Sequence, residues 1–198
     1  MSNSIVEEPE LISQIKEGSR TAFEILVSQY REKAFALAFG IVGNVEDAKD
    51  IAQEAFIRVY NNIKQFREEA SFSTWFYRIL VNLSKDRLRK NKYTKYSLSE
   101  PIAKNVEGGK EIFIEIKDLD YNPKRLALNK ELDRMIDLAI SELPEKQRLT
   151  FVLRHIEGMK IDQIAKILNC AQATVKVNLF KAVRNLRKEL QPYIKEAE

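Results

Sequence analysis

The sequence predicts an all-α protein: two small helical domains joined by an extended linker, the C-terminal one containing a helix-turn-helix. Three observations carry this. Apolar residues recur at three and four positions, the helical period, through most of the chain. The pattern fails once, over 92–122, where Ser, Gly, Pro and Lys are frequent and Gly108 and Gly109 are adjacent. Near the C-terminus two apolar stripes meet at Asn169, a residue that tolerates the left-handed backbone of a tight turn. The domains are expected over 1–95 and 126–198, with the linker over 96–125.

Each element follows from local signals. Pro9 suits the first turn of a short helix that Gly18 stops. Ser19 can cap the next, on which Phe23, Leu26, Val27, Tyr30, Ala34, Leu37, Ala38 and Ile41 recur, and Gly43 ends it. Asn44 with Asp47 reads like a capping box with a shortened acid. The helix it opens runs to about Ile63 and turns Ala48, Ala52, Ala55, Phe56, Val59 and Ile63 inward. A loop over 64–71 precedes a long helix to about Asn91 that buries Phe72, Phe76, Ile79, Leu80 and Leu83. In the linker, alternating Ile112, Ile114 and Ile116 suit a short strand. Helix resumes after Pro123 and runs to Ser141. Pro144 opens the next, and Gly158 closes it. Two more helices span 161–168, with Ile161, Ile164, Ala165 and Leu168 as its stripe, and 174–190. On the last, Val175, Leu179, Ala182, Val183, Leu186 and Leu190 share one face.

Composition narrows the function. Cys170 is the one cysteine, so no intramolecular disulfide can form, and a reducing compartment fits. Residues 1–10 lack a signal-peptide pattern and no apolar run would span a bilayer, so a cytoplasmic chain without membrane insertion is expected. The single histidine, His155, and Cys170 have no third ligand type beside them, and there is no phosphate-binding Gly loop. No metal, cofactor, catalytic residue or small-molecule substrate is expected.

Charge is unevenly placed. Up to Ala70 acids outnumber bases; the charged residues of 85–95 are basic apart from Asp86; and 170–188 carries five basic residues and no acid. Two basic patches behind an acidic half suggest two contacts with a polyanion and one with a basic partner. On the last helix, the face opposite the core stripe carries Ala173, Val177, Lys181, Arg184 and Lys188, flanked by Lys176 and Phe180. Small and basic residues on a second helix suit the major groove, although a solvated basic face would look alike. On the long helix, Trp75, Arg78, Asn82, Lys85 and Arg89 share one edge. An aromatic platform beside cations suits DNA that is being opened, though Trp75 alone would more often be core. The helix from Asn44 shows Asp47, Asp50 and Glu54 on its far side with Ile57 and Asn61 beside them, an interface pattern or a solvated face.

Specific runs resemble a known family. Leu143-Pro144-Glu145-Lys146-Gln147-Arg148, Gly158, Ile164-Ala165, and Thr174-Val175-Lys176 to Lys181-Ala182 are similar to the −35-reading domain of extracytoplasmic-function (ECF) sigma factors. The run 47–56 resembles the segment with which sigma factors grip the β′ clamp helices of RNA polymerase. The loop 65–71, followed by Phe72-Ser73-Thr74-Trp75-Phe76-Tyr77-Arg78, resembles the −10 region, whose loop receives a base flipped from the non-template strand. Ala173 stands where the family usually has Gly, and Val177 and Asn178 where Ser and Arg are common, so the particular −35 sequence stays open.

The resemblance covers nearly the whole chain in the family's order. It implies a subunit that directs core polymerase to promoters, assists melting and catalyses nothing itself. It implies polymerase contacts at Asp47, Asp50, Gln53, Glu54 and Ile57; −10 contacts at Phe66, Arg67, Ser71, Trp75, Arg78, Asn82, Lys85 and Arg89; and −35 contacts at Arg154, Thr174, Lys176, Val177, Phe180, Lys181 and Arg184. Its partners would be core polymerase (β′ clamp helices and β flap), promoter DNA and an anti-sigma protein. A stand-alone helix-turn-helix regulator with an N-terminal effector domain is the alternative; it would bind its duplex without polymerase.

Overall fold

Caps written in the sequence place the helices. A computed structural model describes residues 7–67, 69–96 and 130–195. Among them α1 spans Glu8–Lys16, α2 Arg20–Val42, α3 Val45–Asn62, a 3-10 turn Ile63–Gln65, α4 Phe72–Tyr96, α5 Lys130–Glu142, α6 Glu145–His155, α7 Ile161–Leu168 and α8 Gln172–Lys195. The described residues contain no strand. Ser19 Oγ accepts from the Ala22 N–H at 3.3 Å and opens α2. Gly43 closes it with φ 69°, a region costly for residues with a Cβ.

Some expectations change. Asn44 Oδ1 accepts from the Asp47 N–H at 2.9 Å, but the Asp47 carboxylate does not return to Asn44. It takes Arg87 and Asn91 of α4 instead, so half of the expected capping box forms. Helix α4 runs to Tyr96 rather than Asn91, because its Lys-, Arg- and Asn-rich end holds no Gly or Pro to stop it. Pro144 is the N-cap of α6 rather than its first residue. Helix α8 extends past both expected ends. Val183 is 41% exposed, not core. Roughly 80° around the helix from Val175, it lies outside the narrow stripe of Val175, Ala182 and Leu186. The linker over 97–129, with Ile112, Ile114 and Ile116, and the start of the expected helix after Pro123 lie outside the described residues.

The first four helices wrap an aromatic core. Phe56, Phe72 and Phe76 are essentially fully buried, and Tyr30 meets both Phe72 and Phe76 edge-on with centroids 5.3 Å apart. The Tyr30 hydroxyl donates to Glu8, pinning α1 to α2. Each such ring stabilises the fold by about 1.5–3 kcal/mol through burial. The last four helices close around Leu149, Val152, Leu153, Ile164, Val175 and Ala182. The two units also touch: α2 packs on α5 and α6, and α4 on α7.

Candidate nucleic-acid interface

Helices α7 and α8 meet at a turn of about the expected geometry. Asn169 adopts φ 50° and ψ 56°, and the Cys170 N–H donates to Ala165 O at 3.0 Å, closing α7. Ala171 O accepts from the N–H groups of Thr174 and Val175, starting α8 at once. Val175, Ala182 and Leu186 hold α8 down, which turns Thr174, Lys176, Val177, Phe180, Lys181 and Arg184 to solvent. Phe180 is 69% exposed and Val177 50%. Two apolar groups left among cations with no ion-pair partner among the described residues form a surface suited to a polyanion with apolar edges. Arg154 is exposed too, but its Nη1 donates to Met159 O at 2.8 Å and braces the loop into α7.

The edge of α4 is more varied. Ser71 caps the helix: its Oγ accepts from the Thr74 N–H at 3.3 Å and bonds the Ser73 and Thr74 hydroxyls. Phe66 is 7% exposed. Its ring stacks on Trp75 at 5.1 Å, and Lys16 Nζ lies 5.5 Å from its centroid. Trp75 is half-buried, held on one side by Phe66 and on another by Phe72. Phe66 is therefore the floor beneath Trp75 rather than a surface ring. Arg67, Arg78, Asn82 and Arg89 are exposed and Lys85 is half-buried, so the expected track exists. Arg78, however, is engaged: Nε and Nη2 donate to Lys166 O of α7 at 3.0 and 2.8 Å.

On α3 the acidic stripe divides. Asp50, Gln53, Glu54 and Ile57 line one wall of a groove of about 640 Å³, with Asp86, Arg87, Arg89 and Lys90 of α4 opposite. The Asp50 and Glu54 side chains are 63% and 45% exposed; Asp47 is 18% exposed and tied to Arg87. Sequence reasoning missed Arg87, which bonds Asp47 and lies 3.3 Å from Asp50. Arginines are common on this helix, and only the packing of α3 on α4 singles one out.

Two other polar groups mark the contact between the units. Burial holds the Glu157 carboxyl above the usual range, opposed by the Tyr77 hydroxyl that donates to it at 2.9 Å and by Lys33. Burial lowers the Arg148 guanidinium, which donates to Ile41 O, Ser141 O and Leu143 O. Cys170 packs against the core, and His155 rests on Phe151 at 4.6 Å. Among the described residues no group of His, Cys, Asp and Glu could hold a metal ion, and no helix is long and apolar enough to cross a membrane.

Comparison with known proteins follows the same division. Residues 26–94 match the family model for Sigma-70 region 2, and 133–186 that for Sigma-70, region 4. The chain is 38% identical over 180 residues to the ECF RNA polymerase sigma factor SigW of Bacillus subtilis, spanning 91% of this chain and 95% of that protein. It is 32% identical over 193 residues to the RNA polymerase sigma-H factor of Pseudomonas aeruginosa, covering 96% and 97%. The fold is similar to that of CnrH, solved in complex with the cytosolic domain of CnrY, with a TM-score of 0.64 at 22% identity over 92% of this chain and 96% of that one. It is also similar to the sigma factor RpoE of Bartonella quintana, solved with the anti-sigma factor NepR, with a TM-score of 0.62 at 19% identity over 85% and 96%.

Proposed function

The chain belongs to the ECF sigma factors, and from that premise we propose that its two helical units divide the work of promoter recognition. The N-terminal unit, 1–95, grips core polymerase through Asp50, Gln53, Glu54 and Ile57, with Asp47 holding α3 on α4. It reads and opens the −10 element with Arg67, Trp75, Arg78, Asn82, Lys85 and Arg89. Phe66 and Ser71 act beneath and beside that surface, one as the floor of Trp75 and the other as the cap of α4. The C-terminal unit, 126–198, reads the −35 element with Thr174, Lys176, Val177, Phe180, Lys181 and Arg184. Arg154 supports it from the last turn of α6.

One observation carries the reading most directly: a helix-turn-helix whose second helix points cations and a 69%-exposed Phe180 away from its core. A cation there contributes through phosphates or guanine edges, and an apolar group through thymine methyls. The chemistry of transcription belongs to core polymerase, so the chain works in the cytoplasm as a recognition subunit and is not itself a catalyst. CnrH and RpoE were each solved with a bound protein partner, and RpoE's is an anti-sigma factor. By that analogy an anti-sigma protein restrains this chain as well.

The test is run-off transcription with core polymerase on genomic fragments. Specific transcripts that need both chain and core support the role. A chain that shifts a duplex alone, and adds nothing to core, is a stand-alone regulator.

A further inference from the structure

Helix α1 lies ahead of the residues that match region 2, yet both of its ends reach the aromatic cluster that carries Trp75. Leu11, Ile12 and Ile15 are buried and seat α1 on α2 and on the 3-10 turn that leads into the loop before α4. At the N-terminal end Glu8 accepts from the Tyr30 hydroxyl, and the Tyr30 ring meets Phe72 edge-on. At the C-terminal end Lys16, half-buried, sets its Nζ 5.5 Å from the centroid of the Phe66 ring. Phe66 in turn stacks on Trp75 with 29° between the planes and meets Phe72 at 90°. Lys16, Phe66 and Trp75 thus form a continuous run of cation, ring and ring.

The loop depends on the middle ring of that run. Among the described residues of 64–71, Phe66 is the one buried side chain, and its N–H donates to Ile63 O at 3.1 Å to end the 3-10 turn. Trp75 takes an edge contact from Phe72 of its own helix, but its stacking partner comes from the loop. What fixes Phe66 therefore fixes both the loop and the platform. A cation beside an aromatic ring adds an electrostatic attraction that apolar packing does not supply. A ring already held in place costs an arriving base less ordering than one that must be fixed as the base lands. We propose that α1 is part of the melting machinery: Lys16 is a positioning residue that holds Phe66, and through it Trp75, ready for an unstacked base. The inference rests on the melting role proposed above for Trp75 and extends it to a helix outside the matched region.

Trp75 is the one tryptophan of the chain, so intrinsic fluorescence reads its surroundings directly. Lys16→Met keeps an unbranched side chain and removes the cation, and Lys16→Arg keeps the cation. Lys16→Gln, equally uncharged, repeats each comparison should Lys16→Met lose helix content by circular dichroism. In the free full chain, Lys16→Met should move Trp75 emission to longer wavelength and raise its quenching by acrylamide, while Lys16→Arg stays close to wild type. With core polymerase, Lys16→Met should slow open-complex formation on duplex promoter about 2- to 5-fold, the worth of a cation–π contact at a part-exposed site. Lys16→Arg should restore most of the rate, and a pre-melted bubble should remove the defect. Combined with Trp75→Ala, Lys16→Met should add nothing, because Lys16 acts through that ring. Unchanged emission and quenching in the folded variant, or a wild-type rate of melting, would overturn the proposal. So would the same slowing in the Trp75→Ala background, which would make Lys16 a DNA contact of its own. If Trp75→Ala itself melts duplex normally, the melting role proposed for Trp75 fails, while the hold of Lys16 on the stack is still decided by fluorescence.

Discussion

Trp75→Ala separates a role in melting from a role in the core, because the structure gives this side chain both. The ring is half-buried and meets Phe66 at 5.1 Å and Phe72 at 5.9 Å. Removing a fully buried Trp costs about 3–5 kcal/mol, so a half-buried one should cost about 2 kcal/mol. An aromatic contact adds about 0.5–1.5 kcal/mol beyond area, which is consistent. The N-terminal unit should survive that loss, since Phe56, Phe72, Phe76 and Leu80 are untouched. An unstacked base would stack on the part of Trp75 left accessible, a contact worth about 1–3 kcal/mol. Losing it should lower open-complex formation about 5- to 150-fold. Permanganate reactivity of promoter thymines, with holoenzyme on duplex and on a pre-melted bubble, is the assay. Closed-complex affinity should stay near wild type, and the bubble should restore most of the activity. Trp75→Phe should retain part of both functions. A folded variant that melts duplex at the wild-type rate, or one equally defective on the bubble, refutes the reasoning.

Three further predictions use the same contrast between exposed and engaged side chains. Phe180→Ala and Arg184→Ala should each weaken holoenzyme binding to the −35 element by about 1–3 kcal/mol while thermal stability barely moves, because both residues are exposed; equal binding to wild type and variant would remove them from the interface. Asp50→Lys with Glu54→Lys should weaken core binding by several kcal/mol with the fold intact, whereas Asp47→Lys should act mainly on stability by breaking its contacts with Arg87 and Asn91; pull-down beside denaturant midpoints distinguishes the two. Glu157 is held protonated to higher pH in the folded chain than in the unfolded chain, where its ordinary value is 4.5. Its contribution is therefore complete below about 4.5 and is lost as pH rises through the raised folded value. Glu157→Gln, which can still accept from Tyr77, should flatten that fall in chemical-denaturation midpoints; an unchanged slope would show that Glu157 does not cause it.

What could be read from sequence was what depends on near neighbours. Ser19, Gly43 and Asn169 mark helix ends through bonds spanning three to five residues, and each stands where its chemistry placed it. The outward face of α8 was legible because a helix with a strong apolar stripe leaves its opposite side to solvent. Val183 was misplaced because it borders that stripe, and periodicity gives no sharp edge. Other features depend on partners far along the chain. Asp47 looks exposed until Arg87, forty residues on, is laid beside it. Phe66, one aromatic in a polar loop, looks available until the loop folds it under Trp75. The ties from Arg78 to Lys166 and from Arg148 to Ile41 join residues 88 and 107 positions apart. Nothing local in either arginine separates a cap on a distant helix from a DNA contact. Charge pattern suggests partners for surfaces, but it does not show that the two helical units pack against each other.

DNase footprinting on a promoter found by run-off transcription tests the central claim most directly. The chain alone should protect nothing. With core polymerase it should give protection at two patches about 25 base pairs apart, roughly 85 Å of duplex, and Arg184→Ala should weaken only the upstream one. A single protected site formed by the chain alone, and unchanged by core, would contradict the account.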